Sequence, residues 1–381
     1  MIDSAERIET KRFHGSYQPQ DCEFLLTPIV AEFTSVEEKE RRIQSGEAHY
    51  SEMIHRESAP SADYLELFES LCQRYADRLA GETRQLARQL KNEVGQSETP
   101  ITLISLVRAG TPIGALLRRA LVEHEGQPAE HFSISIIRDR GIDERALAHL
   151  LDERAIDPER VFFVDAWTAK GVITRELRAS IADFNRKRSA KGMSTISGRL
   201  AVISDIGGTA DFAATCEDYA IPSGILNAPV SGLVSRSVWN HQIGADDFHG
   251  CAIYDDLSFI DQSQRFLDLI SDRMAANGDE GQAVDPSMLM QQRERMQSML
   301  AYLQRCYGVE DINHVKPGIA EATRVMLRRV PALLIVKDVS HPDVEHLLLL
   351  AREKQVPVVV ERSMPFHACS LIKNLRGEQP Q

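Results

Sequence analysis

The sequence predicts an α/β protein with a parallel central sheet and a second, smaller α/β module towards its C-terminal end. Between residues 97 and 270, short β-rich runs alternate with helical patterns, which is typical of parallel strands joined by crossover helices. The last part of the chain repeats the alternation on a smaller scale, as helix, strand, helix and strand. Changes in composition divide the chain into four segments, 1–96, 97–270, 271–300 and 301–381.

The first segment, 1–96, is predicted to be a mostly polar, helical extension of the central domain. Ser61 stands where a helix would be capped, and Tyr64, Phe68, Leu71 and Leu79 then follow at helical spacing. A helix is therefore expected from residue 61 onward.

Four apolar runs in the second segment are expected to be the parallel strands, namely 101–107, 132–137, 161–164 and 200–203. The third segment begins with a breaker-rich linker at 277–281, and a polar helix is predicted over 286–306. In the fourth segment the expected elements are helices 319–329 and 343–354 and strands 331–336 and 356–360.

Composition excludes some classes of protein. The 381 residues carry a net charge of −12, which excludes a wholly basic nucleic-acid-binding surface but not a local basic patch. No apolar run reaches the roughly 20 residues of a membrane helix, and the N-terminal residues lack the apolar core of a secretory signal. The six cysteines form no C-x-x-C pair. A cytoplasmic protein that binds no membrane is therefore expected.

The run 161–164 leads into a loop that carries the residue types of a phosphate site. Asp165 follows the run, Lys170 and Gly171 lie in the loop, Thr174 is at the start of the next helix, and Thr168 adds a hydroxyl. Ligands of open α/β sheets bind at the carboxyl ends of strands, and a helix N-terminus attracts anions. Because a carboxylate there accepts hydrogen bonds from a sugar diol, the segment suits a ribose 5-phosphate group. The alternative is an ordinary strand that ends in Asp before a loop.

A second motif, Arg108-Ala-Gly110-Thr111, follows the first core run and opens a helix. Gly110 permits close approach of the backbone, and Arg108 is suited to hold a diphosphate through two parallel hydrogen bonds. The second core run is followed by Arg138 and Arg140, which are either a further cationic contact or a solvated turn.

These motifs resemble those of the type I phosphoribosyltransferases, whose fingerprint is an apolar strand, two acids, two variable positions, Thr-Thr-Gly and a further Thr. Asp165 matches the first acid and Gly171 the glycine, while Thr174 falls one residue late. The second acid and the two Thr positions are occupied by Ala166, Ala169 and Lys170. The Arg-Ala-Gly after the first core strand is similar to that of the uracil-type members.

Two further stretches, 45–53 and 227–236, resemble hallmarks of the StiP-type phosphoribosyltransferase-like family, which is associated with tellurium-resistance gene clusters of bacteria. The resemblance covers residues 20–270. Loops at His49-Tyr50, 204–209 and 223–236 are candidates for lining the same cleft. Some members of the family are labelled cysteine proteases, but Cys216 has acidic neighbours and is expected to lie in a helix as a buried structural thiol.

The start of the last module resembles the RNA-binding domain shared by Pelota and the kink-turn-binding ribosomal proteins. That family opens its helix with Gly-x-Asn-Glu and then Thr-Lys, which correspond here to Gly318, Glu321 and Thr323-Arg324, with Ala320 in the Asn position. The resemblance implies that Lys316, Gly318, Glu321 and Arg324 contact structured RNA. The alternative is a docking domain that has lost RNA binding.

The resemblances together imply a phosphoribosyltransferase-like enzyme that uses phosphoribosyl diphosphate with Mg²⁺ in a stress pathway. Arg108 and Mg²⁺ would neutralise the leaving group, Asp165 would hold the ribose hydroxyls, and Lys170, Gly171 and Thr174 would anchor the 5-phosphate. Two other classes stay open, a nucleotide-sensing or RNA-binding protein without catalysis and a cysteine protease. The implied partners are phosphoribosyl diphosphate or a nucleotide, structured RNA and a second copy of the chain.

Overall fold

A six-stranded parallel sheet forms the centre of the larger part of the protein, in a computed structural model that describes residues 13–276 and 284–374. The strands of this sheet are β1 (Glu23–Phe24), β3 (Ile101–Leu106), β4 (Ala129–Ile134), β7 (Val161–Thr168), β8 (Leu200–Asp205) and β9 (Phe212–Thr215). Their order is β1-β4-β3-β7-β8-β9, and each of the five pairings is parallel. The predicted linker at 277–281 lies outside the described residues.

Four short strands form two-stranded ribbons beside the sheet. They are β2 (Thr27–Pro28) with β10 (Gly250–Cys251), and β5 (Ile136–Ile137) with β6 (Gly141–Ile142).

Helices cover both faces of the central sheet, which explains why its strands are apolar runs without alternation. Every residue of β3, β7 and β8 is buried. The helices of this part are α1 (Val36–Ser45), α2 (Ala62–Val94), α3 (Gly110–Glu123), α4 (Glu144–Ala148), α5 (Val172–Ser189) and α6 (Ser263–Ala276). Residues of α2, α3 and α6 belong to one apolar core, and residues of α4 and α5 belong to the other.

The C-terminal module is a four-stranded mixed sheet with its own helices. Its strands are β11 (Val315–Pro317), β12 (Pro331–Val336), β13 (Val358–Val360) and β14 (Ala368–Ile372), in the order β11-β14-β12-β13. Its helices are α8 (Ile319–Arg328) and α9 (Glu345–Glu353). The preceding helix, α7 (Pro286–Tyr307), packs on this sheet through side chains that include Met296 and Leu303.

The module is docked firmly onto the larger domain. The buried Asp218 carboxylate accepts hydrogen bonds from the backbone N–H of Ile319 at 2.9 Å and of His367 at 2.7 Å. One buried cluster also contains Ile319 and Leu347 of the module together with side chains of α2. The amino end of α8 therefore faces the central sheet rather than solvent.

The predicted fold class, an α/β protein with a parallel sheet and a small C-terminal module, is confirmed. The strand predicted over 161–164 continues to Thr168, so Asp165 lies inside β7. Strand β1 comes from the segment expected to be helical, and β14 was not expected at all. Both strands are short and pair with strands that are far away in the sequence. Cys216 was wrongly placed in a helix, because it directly follows strand β9.

Candidate functional site

A cavity of about 320 Å³ lies between the carboxyl edge of the central sheet and the C-terminal module. Helix α1, the loops after β3 and β7, strand β11 and helix α8 contribute to its wall. Of the described residues that line it, two are carboxylates, Asp165 and Glu321, and nine are cations. The cations are Lys39, Arg108, Arg138, Lys170, Arg236, Lys316, Arg324, Arg328 and Arg329. The cavity is thus strongly positive in a chain whose net charge is −12.

Asp165 lines this cavity from the carboxyl half of β7. Its side chain is 8% exposed, and its Oδ1 accepts a hydrogen bond from the backbone N–H of Ala166 at 2.8 Å. Burial raises the pKa of Asp165 to about 6, although the nearby Arg324 guanidinium opposes this rise. The side chain is thus a buried acceptor at the cavity wall.

The loop between β7 and α5 is held by the side chain of Thr209. The hydroxyls of Thr168 and Thr174 lie 3.1 Å and 3.2 Å from the Thr209 hydroxyl. Gly171 has a φ of +67°, and a Cβ at this position would lie 2.7 Å from Thr209 Cγ2. Thr168 and Gly171 line the cavity, but Thr174 does not, since it is buried behind the loop.

Lys170 connects the same loop to the C-terminal module. Its Nζ donates to the backbone carbonyls of Ile312 and Val315, each at 2.7 Å. Burial and the neighbouring Lys316 lower the pKa of Lys170 to about 7. The expected phosphate-binding lysine is therefore at the junction of the two parts of the protein.

Arg108 is buried in the wall and paired with Glu57. Its Nη2 donates to Glu57 Oε1 at 2.6 Å, and its Nη1 donates to the Val234 carbonyl at 3.2 Å. The Nε atoms of Arg108 and Arg324 are buried and have no hydrogen-bond partner in the described structure. Each guanidinium group consequently keeps one buried N–H for which the described structure provides no acceptor.

Gly110 and Thr111, which the sequence places in the same loop, lie behind the wall and do not line the cavity. A Cβ on Gly110 would lie 2.3 Å from the Val164 carbonyl oxygen, so the glycine lets α3 pack closely on β7. The Thr111 hydroxyl lies 2.9 Å from that of Ser133 in the core. Both residues have packing roles in this structure.

Arg138 and Tyr50 form the side of the cavity opposite the module. The Arg138 guanidinium lies 5.4 Å from the centre of the Tyr50 ring, and its backbone N–H donates to the Tyr50 hydroxyl at 2.7 Å. The Arg236 guanidinium lies 5.1 Å from the same ring and donates to the carbonyls of Tyr50 and Met53. An aromatic ring thus holds two cations at the cavity.

Of the residues expected to bind RNA, Lys316, Glu321 and Arg324 line the cavity. Glu321 Oε1 accepts hydrogen bonds from Trp167 Nε1 at 3.2 Å and from Arg324 Nη1 at 2.9 Å. Despite its burial, Arg324 and Lys316 lower the pKa of Glu321 to about 2. Gly318 packs on the larger domain, where a Cβ would lie 2.7 Å from Ile206 Cδ1. RNA binding through these residues stays a prediction, and it would require the module to separate from the domain.

Sequence reasoning missed several side chains that complete the wall. They are Lys39, His55, Arg328 and Arg329, together with Glu57 behind Arg108. Lys39 is 3% exposed, and its Nζ lies 3.1 Å from His55 Nδ1. Two consecutive arginines at the end of α8, Arg328 and Arg329, were a sequence signal for a cationic site. Lys39 gave no such signal, because a lysine in a polar helix is ordinary.

Five of the cavity cations have no carboxylate within ion-pair distance among the described residues, namely Lys39, Lys170, Arg236, Lys316 and Arg328. Burial, Arg236 and Arg329 lower the pKa of Lys39 to about 6. Burial also lowers the pKa of Arg236 to about 10 and holds that of Arg328 well below its ordinary range. Uncompensated charge of one sign is costly in a buried site, and an anionic ligand would remove that cost.

The six cysteine thiols lie outside the cavity. Cys22, Cys72, Cys216, Cys251 and Cys369 are buried, Cys306 is exposed, and none of the six lines the cavity. Burial raises the pKa of Cys216 to about 11, in line with the expectation of a structural thiol. In the described part of the chain, no cysteine sulfur is hydrogen-bonded to an imidazole; the sulfur of Cys22, for example, donates to Ser133 Oγ at 3.3 Å.

Comparison with known families decides which family the protein belongs to. The model of the family described as "Tellurite-like stress resistance cysteine protease StiP" matches residues 15–271. The chain belongs to the StiP family. This StiP-family chain is 39% identical over 384 residues to the Acinetobacter baylyi protein named cysteine protease StiP, with 98% of the chain and 97% of that relative covered. Residues 294–374 match the family described as "PELOTA RNA binding domain", so the resemblances to the StiP family and to the Pelota RNA-binding domain are confirmed.

Solved structures similar to the StiP-family chain include purine phosphoribosyltransferases. The hypoxanthine phosphoribosyltransferase of Trypanosoma cruzi is 15% identical, with a TM-score of 0.27, over 37% of this chain and 77% of the other. The hypoxanthine-guanine enzyme of Leishmania donovani is 15% identical, with a TM-score of 0.27, over 38% of this chain and 83% of the other. At these values neither similarity bears on function.

The predicted function is therefore corrected. Phosphoribosyl transfer, and with it the transferase class, was wrong, because the family and the relative from Acinetobacter baylyi are both named as cysteine proteases. The error arose because the loops after the strands of a parallel sheet carry similar residues whatever the reaction. Stress resistance, which was expected, is part of the family's description.

None of the helices within residues 13–276 and 284–374 has the length and apolar character needed to span a bilayer.

Proposed function

We propose that the StiP-family chain binds a phosphorylated small molecule of the nucleotide class in the cationic cavity, as part of a stress response in the cytoplasm. The observation that carries the proposal is the set of five cations without a carboxylate partner, Lys39, Lys170, Arg236, Lys316 and Arg328. Phosphate groups are the ligands that such an array of ammonium and guanidinium groups binds best. The six free thiols support a reducing compartment.

Asp165 indicates a second chemical feature of the proposed ligand, namely hydroxyl groups. A buried carboxylate opposite a cationic wall accepts hydrogen bonds from hydroxyl groups, as a ribose would provide. Asp165, Thr168, Lys170 and Gly171 lie together at the cavity wall, so the sugar-phosphate part of a nucleotide or of phosphoribosyl diphosphate is assigned to this end. Arg108 and Arg138 would hold further phosphate oxygens.

The residues present do not fit a resident Mg²⁺ ion. Within residues 13–276 and 284–374 there is no group of three or more His, Cys, Asp or Glu side chains placed to hold a metal. The two carboxylates of the cavity stand among nine cations, which would repel a divalent cation. The expectation of Mg²⁺ therefore receives no support from the donor set.

Calorimetric titration tests the proposal directly. Inorganic pyrophosphate, ADP and phosphoribosyl diphosphate should each bind the full chain with 1:1 stoichiometry, whereas adenosine, which lacks phosphate, should bind far more weakly. Affinity should decrease as sodium chloride is increased, since phosphate contacts to cations are screened. If none of the three phosphorylated compounds binds, the proposal is wrong.

Binding of sulfate should weaken as pH rises from about 5.5 to 8.5, by roughly tenfold or more, because burial lowers the pKa of two cavity lysines. The pKa of Lys39 is lowered to about 6 and that of Lys170 to about 7, so both lose their charge over this range in the free protein. Asp165, whose pKa burial raises to about 6, gains a negative charge over the same range, which weakens sulfate binding further. Sulfate keeps a constant charge, so the change reports the protein groups. Thermal-shift titrations at each pH measure it, and an affinity that does not change with pH would contradict this assignment.

Thiol-dependent peptide hydrolysis is the second candidate function, favoured by the 39% identity to a protein named as a cysteine protease. A nucleophilic thiol needs an imidazole within hydrogen-bond reach, so hydrolysis would need a state in which a cysteine and a histidine come together. The assay is casein hydrolysis by the full chain and by the six single Cys→Ala variants, with and without pyrophosphate. Loss of activity in one variant alone supports this candidate, and absence of hydrolysis in the unsubstituted chain rejects it.

Iodoacetamide should label the native chain at Cys306 alone, because Cys306 is exposed while the other five thiols are buried. Mass spectrometry of peptides after brief labelling measures this, with labelling in guanidinium chloride as the reference for complete access. Rapid labelling of Cys216 in the native chain would show that the site of the predicted structural thiol opens.

A further inference from the structure

The edge of the C-terminal module that resembles an RNA-binding surface is turned towards the cavity. Glu321, Arg324 and Arg328 recur at a spacing of three and four residues along α8, so they share one face of the helix, and all three line the cavity. Lys316, on β11 just before this helix, lines it too. The module therefore supplies several of the charged groups of the wall.

Specific contacts hold this edge in place. Arg328 Nε donates to Asn227 Oδ1 at 2.5 Å, and Arg329 Nη2 donates to Glu40 Oε1 at 2.6 Å. Both acceptors belong to the larger domain. Ala320 is 7% exposed, and a Cβ built on Gly224 of the larger domain would lie 3.7 Å from its Cβ. A small residue thus occupies a buried interface at the position where the related RNA binders carry Asn.

The C-terminal module also contributes positive charges to the cavity that are not paired with carboxylates in the described structure. Among the described residues, neither Lys316 nor Arg328 has a carboxylate within ion-pair distance. Glu321 is the module's acidic residue in the wall, and it is engaged by Arg324 and Trp167. Two cations of the module therefore line the cavity together with cations of the larger domain, and an anion bound among them would offset their repulsion.

We propose that the C-terminal module forms half of the ligand site, so that a small phosphorylated ligand bound between Lys316 and Arg328 on one side and Lys39 and Arg236 on the other takes the place of RNA on this edge. The inference rests on the proposed function of the cavity. Ligand binding joins the two parts of the protein, since phosphate oxygens contact both. RNA and the ligand consequently exclude each other.

The test uses five full-chain variants and pyrophosphate as the probe. Lys316→Met and Arg328→Met should weaken pyrophosphate binding at least tenfold by calorimetry. Lys354→Met and Arg352→Met remove the same charges from the exposed side of the module and should change the affinity less than twofold. Hydrogen exchange of the unsubstituted chain gives an independent measurement, in which pyrophosphate should slow exchange in α8.

The outcomes separate this inference from the proposed function. If Lys39→Met weakens pyrophosphate binding while Lys316→Met and Arg328→Met do not, and exchange in α8 is unchanged, the cavity binds the ligand without the module and the inference is overturned. If the unsubstituted chain does not bind pyrophosphate, both fall. The last measurement is a gel-shift titration with a bulged stem-loop RNA. If the chain retains this RNA equally with and without saturating pyrophosphate, the inference is also overturned.

Discussion

Replacing Glu57 by Gln should lower the free energy of unfolding by about 3 kcal/mol, because it breaks a buried ion pair and leaves a cation without its partner. Glu57 is 8% exposed; its Oε1 accepts from Arg108 Nη2 at 2.6 Å and its Oε2 accepts from the backbone N–H of Ala228 at 3.0 Å. Although burial opposes the charged form, Arg108 and Arg328 hold the pKa of this carboxyl below its ordinary value. Urea unfolding followed by circular dichroism measures the loss.

Glu32→Gln is the matched control for this variant, since Glu32 is exposed and the substitution should change the free energy of unfolding by less than about 0.5 kcal/mol. Saturating pyrophosphate should recover part of the stability of Glu57→Gln, because a ligand that binds only the folded state stabilises it. A loss below about 1 kcal/mol would show that the Arg108–Glu57 pair contributes little to the fold.

Replacing Lys39 by Met should have opposite effects on stability and on binding. Lys39 is 3% exposed and has no carboxylate partner in the described structure, so a side chain of similar volume without charge should leave the ligand-free protein equally or more stable. Pyrophosphate affinity at pH 6 should fall by roughly 10- to 100-fold, the equivalent of a charged hydrogen bond of about 1.5–3 kcal/mol.

The control for Lys39→Met is Lys191→Met, at an exposed position after α5, which should change neither quantity. Thermal unfolding and calorimetry on the same preparations measure both effects. Loss of stability in Lys39→Met without loss of affinity would mean that Lys39 supports the fold and takes no part in binding.

Local sequence patterns predicted the part of the site that lies next to the strands. Asp165, Lys170 and Arg108 were found because each follows an apolar run, and the ends of parallel strands meet at one edge of a sheet. The same patterns do not tell which way a loop residue points, and for this reason Gly110, Thr111 and Thr174 were assigned to binding although they pack behind the wall. The spacing of residues along the chain does not indicate which way a loop side chain points.

The residues that the sequence did not reveal come together only through tertiary contacts. Glu57 meets Arg108 from a segment with no regular structure, and Glu40 of α1 reaches Arg329, the residue that follows α8. No periodic pattern links such distant positions. The orientation of the module was hidden for the same reason, because Asp218, which accepts a hydrogen bond from the backbone N–H of Ile319 at the start of α8, is an ordinary acidic residue in the sequence.

If the cavity binds the proposed phosphorylated ligand, the enclosure of so many cations within an acidic chain should also select anions by size. At physiological salt, an exposed charge is felt over only about 8 Å, so an approaching molecule senses the surface nearest to it. A long polyanion meets the acidic exterior along most of its length and is repelled there, since the chain carries −12 in total while nine of its cations line the cavity. A molecule small enough for a space of about 320 Å³ crosses that exterior once and is then surrounded by positive charge. We therefore expect discrimination between a small anion and a polyanion to begin before any side chain contacts either.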